Sequence, residues 1–445
     1  MLFVSCKDEE LASFTITFDS DGGSAVDPIT VFDGGSAEAP KPPVKENYEF
    51  LGWYYSGQPY TFGSSVQRDI TLTAKWKAKE YTISFNPENG ESTFSLIAVY
   101  GEEFTVPVPK REGYNFLGWY RGDEKCDFGS ITGDCSVFAR WVASSDGLAM
   151  ELSEDEKSYT VTGIGDFSGT ELTVPSHYNG KPVTLIGANA LSGAPITSLR
   201  IPGTVTKVDF MAFSGCTSLT DLIIDEGVDN ISSAFYGCTA LKNVTLADSI
   251  TRLDNAFFGC TALENVTLPA STVSANNAFR DCTSLGLTES ANGLYVGTRD
   301  NPYYMLVSVV DKSIESLKIN TGTVIIHTAA VKDCASLTEL SIPATVKYIY
   351  GNAFMGCSGL TTMIIPSSVT VVAAYAFANC TELRTVYVPS SVKEVGYHAF
   401  DCCDNVTVNC AVSKTPEGWD PDWNLSFTDE GTVSVKVVWG SGAIG

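Results

Sequence analysis

Eight cysteines recur along this chain with almost ruler-like spacing. Cys216, Cys238, Cys260, Cys282, Cys334, Cys357, Cys380 and Cys403 are separated by 22, 22, 22, 52, 23, 23 and 23 residues. A disulfide framework has no reason to keep a period, whereas a fixed period of about 20–50 residues is the signature of stacked repeats. Aligned on the cysteine, the unit reads A-F-x-x-C-x-x-L-x-x-[LVI]-x-[IVL]-P-x-x-V. "AFYGCTALKNVTL" from Ala234 and "AFFGCTALENVTL" from Ala256 differ only at Tyr236/Phe258 and Lys242/Glu264. A weaker copy starts at Ala188, and the copy at Ala329 carries Val331 where the others carry Phe.

One unit reads as one coil. In "SLTELSIP", Leu337, Leu340 and Ile342 should point inward while Glu339 and Ser341 alternate outward. Pro343 ends the strand. The A-F-x-x-C segment makes the return turn and sends Phe and Cys toward the axis. A lone coil cannot bury that set, so neighbouring coils must stack, each inward residue on its counterpart. The structural columns are then Phe213/Cys216, Phe235/Cys238, Phe257/Cys260, Phe279/Cys282, Cys334, Phe354/Cys357, Phe377/Cys380 and Phe400/Cys403. Equivalent side chains of stacked coils run parallel rather than toward each other, so the cysteines are expected to be buried thiols.

These motifs resemble the Treponema-pallidum-type leucine-rich repeat of BspA-like bacterial surface proteins, over roughly Leu148 to Gly445. Upstream, "YEFLGWYYSGQPYTFGSSVQRDITLTAKW" and "YNFLGWYRGDEKCDFGSITGDCSVFARW" form a second, longer pair. They resemble Listeria–Bacteroides (internalin B-type) repeats, through F-x-G-W-Y and the closing A-[KR]-W. The fold class expected is mainly β: a leucine-rich-repeat solenoid with one short strand per 22–23-residue coil, preceded by two small β-grasp-like modules. The first module spans residues 11–78, the second 79–143 and the solenoid 144–445. Within the solenoid we expect an N-terminal cap at about 148–187, an inserted hairpin at about 290–312 around "TRDNP", and a C-terminal cap at about 404–445 in which Trp419 and Trp423 cover the last coil. Trp53 and Trp119, at one site in both modules, should be core. The join at Val142–Ser158 reads as a hinge or the edge of a cap.

Residues 1–10 resemble the end of a bacterial lipoprotein signal, with Cys6 as the lipidation candidate and Lys7 to Glu10 resembling a surface-export signal of Bacteroidetes lipoproteins. The resemblance implies an extracytoplasmic protein at the cell surface, an outer-membrane lipoprotein of a Gram-negative bacterium. Two thiol pairs, Cys126/Cys135 and Cys402/Cys410, are open as disulfides.

With 52 Asp+Glu against 28 Lys+Arg, a net charge of -24 argues against nucleic acid, and leaves membrane contact to a lipid. Only three histidines occur, His177, His327 and His398, isolated from one another. No G-x-S-x-G, P-loop or dinucleotide motif is present, and "DSDGG" at Asp19–Gly23 lacks the glutamate a calcium loop needs, Thr30 standing there instead. No catalytic residue, metal site or cofactor is assigned. The outward strand positions are the candidate binding surface: Asp221/Ile223, Asn243/Thr245, Asn265/Thr267, Glu339/Ser341, Thr362/Ile364 and Thr385/Tyr387. A second cluster, Tyr348, Tyr350, Tyr375 and Tyr397, accompanies them. The functional expectation is a monomeric, non-enzymatic surface protein that adheres to a protein or glycan, the N-terminal modules serving as spacer. The alternatives are an enzyme or glycan-processing accessory with an unrecognised site, and a purely structural spacer.

Overall fold

A computed structural model describes residues 12–428 and 431–441, so Cys6 and its lipidation lie outside the described residues. The described chain divides into two compact units, one running to residue 142 without 112–115, the other holding 112–115 and everything from 143.

The first unit contains two copies of one five-stranded sheet. In the first copy the strands are β1 Ser13–Asp19, β2 Ile29–Phe32, β3 Tyr48–Tyr55, β4 Gln58–Pro59 and β5 Ile70–Ala78. In the second they are β6 Glu80–Asn86, β7 Phe94–Val99, β8 Tyr114–Arg121, β9 Glu124–Lys125 and β10 Cys135–Ala143. The orders β2-β1-β5-β3-β4 and β7-β6-β10-β8-β9 place the first and last long strands side by side and parallel, Ile16 opposite Ile70 and Ile83 opposite Cys135. This is the grasp-like arrangement expected, with no α-helix among the described residues. Trp53 and Trp119 are buried, packing on Phe18 at 4.7 Å and Phe85 at 4.8 Å.

In the second unit the period becomes a stack of short parallel strands. Asp221–Ile224 pairs in parallel with Ser198–Ile201 and with Asn243–Thr245, in register, so residues one period apart sit side by side. The return turns are laddered as well. Phe235 N donates to Ala256 O at 3.0 Å, and Gly237 N to Phe258 O at 2.8 Å. Each turn holds two left-handed residues around its phenylalanine, for example Asn255 (φ 54) and Gly259 (φ 73) around Phe257. At the second place Gly, Asp or Asn stands in every turn but the last, where Cys402 does, as that conformation favours, whereas the first place also takes Met211, Ser233, Ala329, Tyr375 and His398.

Inside, the phenylalanines form two stacks. Phe213, Phe235, Phe257 and Phe279 lie 5.3, 5.8 and 5.9 Å apart, and Phe354, Phe377 and Phe400 lie 5.3 and 5.7 Å apart, all with near-parallel rings. The cysteine column runs beside them. Cys238 Sγ donates to Phe213 O at 3.2 Å, Cys260 Sγ to Phe235 O at 3.3 Å and Cys380 Sγ to Phe354 O at 3.3 Å. The position therefore needs a side chain small enough to pack beside a phenylalanine and able to donate weakly to the carbonyl of the coil before, which thiol does. All twelve described cysteines are free thiols. Cys410 is buried in the core, while Cys402 sits in a turn with its Sγ 3.8 Å from Phe427 O, so these two do not pair.

The two positions at which the thirteen-letter copies differ are contacts between coils on the surface. Tyr236 stacks on Phe258 at 4.8 Å, and Lys242 Nζ lies 3.9 Å from Glu264 Oε1. A strict copy would set like charge on like charge, which the Lys/Glu exchange avoids.

Between the two phenylalanine stacks the period breaks. Gly293–Val296 and Met305–Val309 pair as an antiparallel hairpin, whose second strand joins the solenoid in parallel with Ile325–Ile326. Here side chains take over from the backbone ladder. Tyr350 Oη accepts from Ala275 N at 3.1 Å, Tyr304 Oη donates to Thr272 O at 3.0 Å, and Thr328 Oγ1 bonds Asn276 Oδ1 at 2.6 Å.

Caps close both ends. At the start, Ala149–Leu152 pairs with Tyr159–Gly163, and Ser145 N donates to Thr173 O at 2.8 Å. From Ser145 onward the segment expected as a hinge or cap edge is therefore the cap edge. At the other end Trp423 meets Phe400 edge-on at 6.1 Å, and Trp419, 4 % exposed, donates from Nε1 to Val392 O at 3.3 Å.

Candidate binding surface

The outward strand positions form two rows because the register is strictly parallel. In the first half, Ser198, Asp221 and Asn243 share one row, which Asn265 extends through an isolated bridge. Arg200, Ile223 and Thr245 share the next. In the second half, Thr362, Thr385, Thr407 and Lys436 line one row and Ile364, Tyr387, Asn409 and Val438 the other. Glu339 and Ser341 pair with Ser316 and Lys318 on a separate two-stranded sheet. Asn243, Thr245, Asn265, Thr267, Glu339, Ser341 and Thr362 are exposed, whereas Asp221, Thr385 and Tyr387 are half-buried.

Chemistry differs between the halves. Apart from Ile223, 38 % exposed, the first-half rows are polar and internally paired. Arg200 makes a two-pronged pair with Asp225, Nη2 to Oδ1 at 2.6 Å and Nε to Oδ2 at 3.0 Å. Asp221 accepts from Thr220 Oγ1 and from Asn243 Nδ2, and these bonds hold its carboxyl below the usual carboxylate range. A carboxylate so fixed orients Asn243 and is a poor proton carrier. The second half carries apolar area: Ile364 is 52 % exposed, beside Tyr387, and Val438 is 38 % exposed two strands on. The register brings Ile364 and Tyr387 together and leaves Ile223 on the other stack.

The tyrosine cluster splits. Tyr350 is buried and bridges the two stacks, with Tyr348 6.3 Å away. Tyr375 and Tyr397 meet at 5.7 Å near the C-terminal cap. One surface feature had only a faint sequence signal. Tyr236, Phe258 and Arg280 occupy the position after each core phenylalanine in successive coils, and the Arg280 guanidinium lies 5.3 Å from the Phe258 ring centroid. The conservative Tyr/Phe exchange between the twin copies was that signal.

The histidines sit apart from this face. His327 is buried with Nε2 unpartnered, and burial pushes its pKa down to about 4. His398 is buried against the Tyr397 and Phe427 rings. His177 Nδ1 lies 3.2 Å from Ser176 Oγ in the cap. Among the described residues no group of three His, Cys, Asp or Glu could hold a metal ion, and no helix is long and apolar enough to cross a membrane.

Comparison with known proteins agrees with this architecture. Residues 183–294 and 310–415 match the BspA type leucine rich repeat region in six copies, and residues 14–75 and 81–140 match the Listeria-Bacteroides repeat domain. Internalin H of Listeria monocytogenes is 30% identical over 166 residues, 35% of this chain and 29% of its own length. A protein of Evansella cellulosilytica named as a membrane protein is 37% identical over 142 residues, 30% of this chain and 21% of its own. The chain thus spans less than a third of these relatives. Among solved structures, a leucine rich cell surface protein of Faecalibacterium prausnitzii is 23% identical, covering 60% of this chain and 94% of that one at a TM-score of 0.27. The T. pallidum leucine rich repeat protein is 20% identical, covering 58% and 89% at 0.20. The chain consists of two Listeria–Bacteroides repeats followed by a solenoid of BspA-type leucine-rich repeats.

Proposed function

We propose that this is a non-enzymatic, extracytoplasmic surface protein whose solenoid binds an extended protein or glycan along its outward strand rows, with the N-terminal modules as spacer. The observation that carries the reading is the row Ile364, Tyr387, Asn409 and Val438. It sets an exposed isoleucine beside a tyrosine on adjacent strands, with an amide between them and the valine. Apolar area flanked by hydrogen-bonding amide and hydroxyl groups suits an extended ligand laid across parallel strands. The acidic composition disfavours polyanionic partners, so a neutral or basic segment fits better. The match to the BspA type leucine rich repeat region and the Evansella cellulosilytica relative named as a membrane protein support a surface location. Anchoring through a lipid on Cys6 in an outer membrane belongs to the same proposal.

The test is binding of the intact chain to arrays of matrix proteins and of polysaccharides, repeated with Ile364→Asp and with Tyr387→Ala. Loss of a shared hit in both variants, at unchanged folding, supports the row. Hits retained by both variants but lost when residues 12–142 are removed move recognition to the modules.

A further inference from the structure

The two N-terminal modules are near-copies, so each position in one has a counterpart in the other that serves as a control. The registers fix the correspondence. Tyr60 N donates to Trp53 O at 2.7 Å in the first module, and Cys126 N to Trp119 O at 2.8 Å in the second. Ile70 sits opposite Ile16 on the paired central strands, and Cys135 opposite Ile83. Asp69 and Asp134, one residue earlier, accept from Thr15 N and Thr82 N, both at 2.7 Å. Cys126 and Cys135 therefore replace Tyr60 and Ile70.

In the first module that pair lines one hollow. Tyr60 and Ile70 both border it, both pack against the module core, and Tyr60 meets Phe62 edge-on at 5.0 Å. In the second module Cys126 borders the matching hollow, and Cys126 and Cys135 both pack against the core beside Phe128. A tyrosine and an isoleucine that border one hollow have been exchanged, together, for two small thiols: Cys126 borders the matching hollow, and Cys135 directly follows Asp134, which lines it, and packs on the same core. Single thiols would leave that corner underpacked, since each exchange removes buried carbon. A bond between the sulfurs would restore the tie across the strand ends that the tyrosine and isoleucine make by packing.

We propose that Cys126 and Cys135 are a modification site: outside the cytoplasm they are oxidised to a disulfide that staples the second module at the place where the first uses Tyr60 and Ile70. The reaction is exchange with a disulfide oxidant. One cysteine thiolate attacks a donor sulfur and expels one donor thiol, forming a mixed disulfide. The second thiolate attacks the protein sulfur of that bond and expels the other donor thiol. The module loses two hydrogens as a whole, and the donor disulfide is reduced to two thiols. Burial, with the charge of Cys135 added to it, pushes the Cys126 thiol up. A thiol of raised pKa is a slow leaving group, so the bond suits a lasting staple better than a rapidly switching one. The column cysteines lie outside this chemistry: seven of the eight donate to a carbonyl of the coil before, and Cys334 is buried in the solenoid core.

The experiment uses the full chain and oxidised glutathione as the donor. After incubation the protein is denatured, alkylated without reduction and digested with trypsin. No Lys or Arg lies between Cys126 and Arg140, and Lys125 precedes Cys126, so both thiols fall in one peptide, Cys126–Arg140. The expected result is that this peptide is unalkylated and two hydrogens lighter, and takes up two alkyl groups only after reduction, while the column thiols are alkylated throughout. Reduction should also speed amide exchange in residues 126–135 and leave residues 60–70 unchanged, and Cys126→Tyr with Cys135→Ile should abolish that sensitivity. Full alkylation of Cys126 and Cys135 in the oxidising buffer, or linkage of either to a different cysteine, would overturn the assignment.

Discussion

Truncating Phe257 to alanine removes one ring from the middle of a stack. The ring is fully buried, with Phe235 5.8 Å away on one side and Phe279 5.9 Å away on the other. Large-to-small changes of this kind cost about 3–5 kcal/mol, more where the cavity cannot collapse. Collapse is resisted here because the turns on both sides are pinned, Phe235 N to Ala256 O at 3.0 Å and Phe257 N to Ala278 O at 3.1 Å. The upper part of that range, about 4–5 kcal/mol, is therefore expected. In a stacked array the loss spreads to neighbouring coils. Hydrogen exchange on the full chain reads it locally: amides from Phe213 to Cys282 should exchange faster, while those of residues 12–142 keep their rates. Phe258→Ala, which removes the adjacent surface ring, should cost only about 1 kcal/mol. If Phe257→Ala exchanges like wild type, or no faster than Phe258→Ala, the stacked-column reasoning is wrong.

Burial pushes Cys282, Cys357 and Cys410 up to about 12 from the ordinary 9.0. Their contribution is fully present below pH 9.0 and is lost as pH rises toward 12, because the unfolded chain ionises first; each thiol should lower stability by about 1.4 kcal/mol per pH unit across that window, measured by denaturant titration. His327, pushed down to about 4 from 6.5, does the opposite. Its share of stability holds above pH 6.5 and fades as pH falls toward 4, so His327→Phe should be less acid-sensitive than wild type across that window in parallel melts. Trp423→Ala should open the C-terminal end of the Phe354–Phe377–Phe400 stack at a cost of about 3–5 kcal/mol, with faster amide exchange confined to the last coils.

What was legible in the sequence was what repeats. The Phe and Cys columns and the outward alternation followed from spacing and polarity, because a stacked coil imposes the same demand at the same place each time. What was not legible depends on a single contact. Nothing in the spelling of Tyr350 says that its hydroxyl reaches Ala275, 75 residues away, rather than solvent. The alternation marked Ile223, Ile364 and Tyr387 equally, but only the register between coils shows that Ile364 and Tyr387 are neighbours. The exchange of Tyr60 and Ile70 for two cysteines could be weighed only once the strands had aligned the two modules residue by residue.

Successive coils are interchangeable units held in register by their columns, so a deletion can remove one whole coil or disrupt the register. Removing residues 235–256 joins Ala234 to Phe257, regenerates A-F-F-G-C and takes out one whole 22-residue coil. Removing only residues 235–245 takes half a coil and throws every later column out of phase. Thiol accessibility under native conditions reads the outcome. The whole-coil deletion should fold as a monomer, its remaining column cysteines as unreactive as in wild type, and be shorter by one strand spacing, roughly 4.8 Å. The half-coil deletion should expose them. If both deletions leave the cysteines equally reactive, the columns do not set the register.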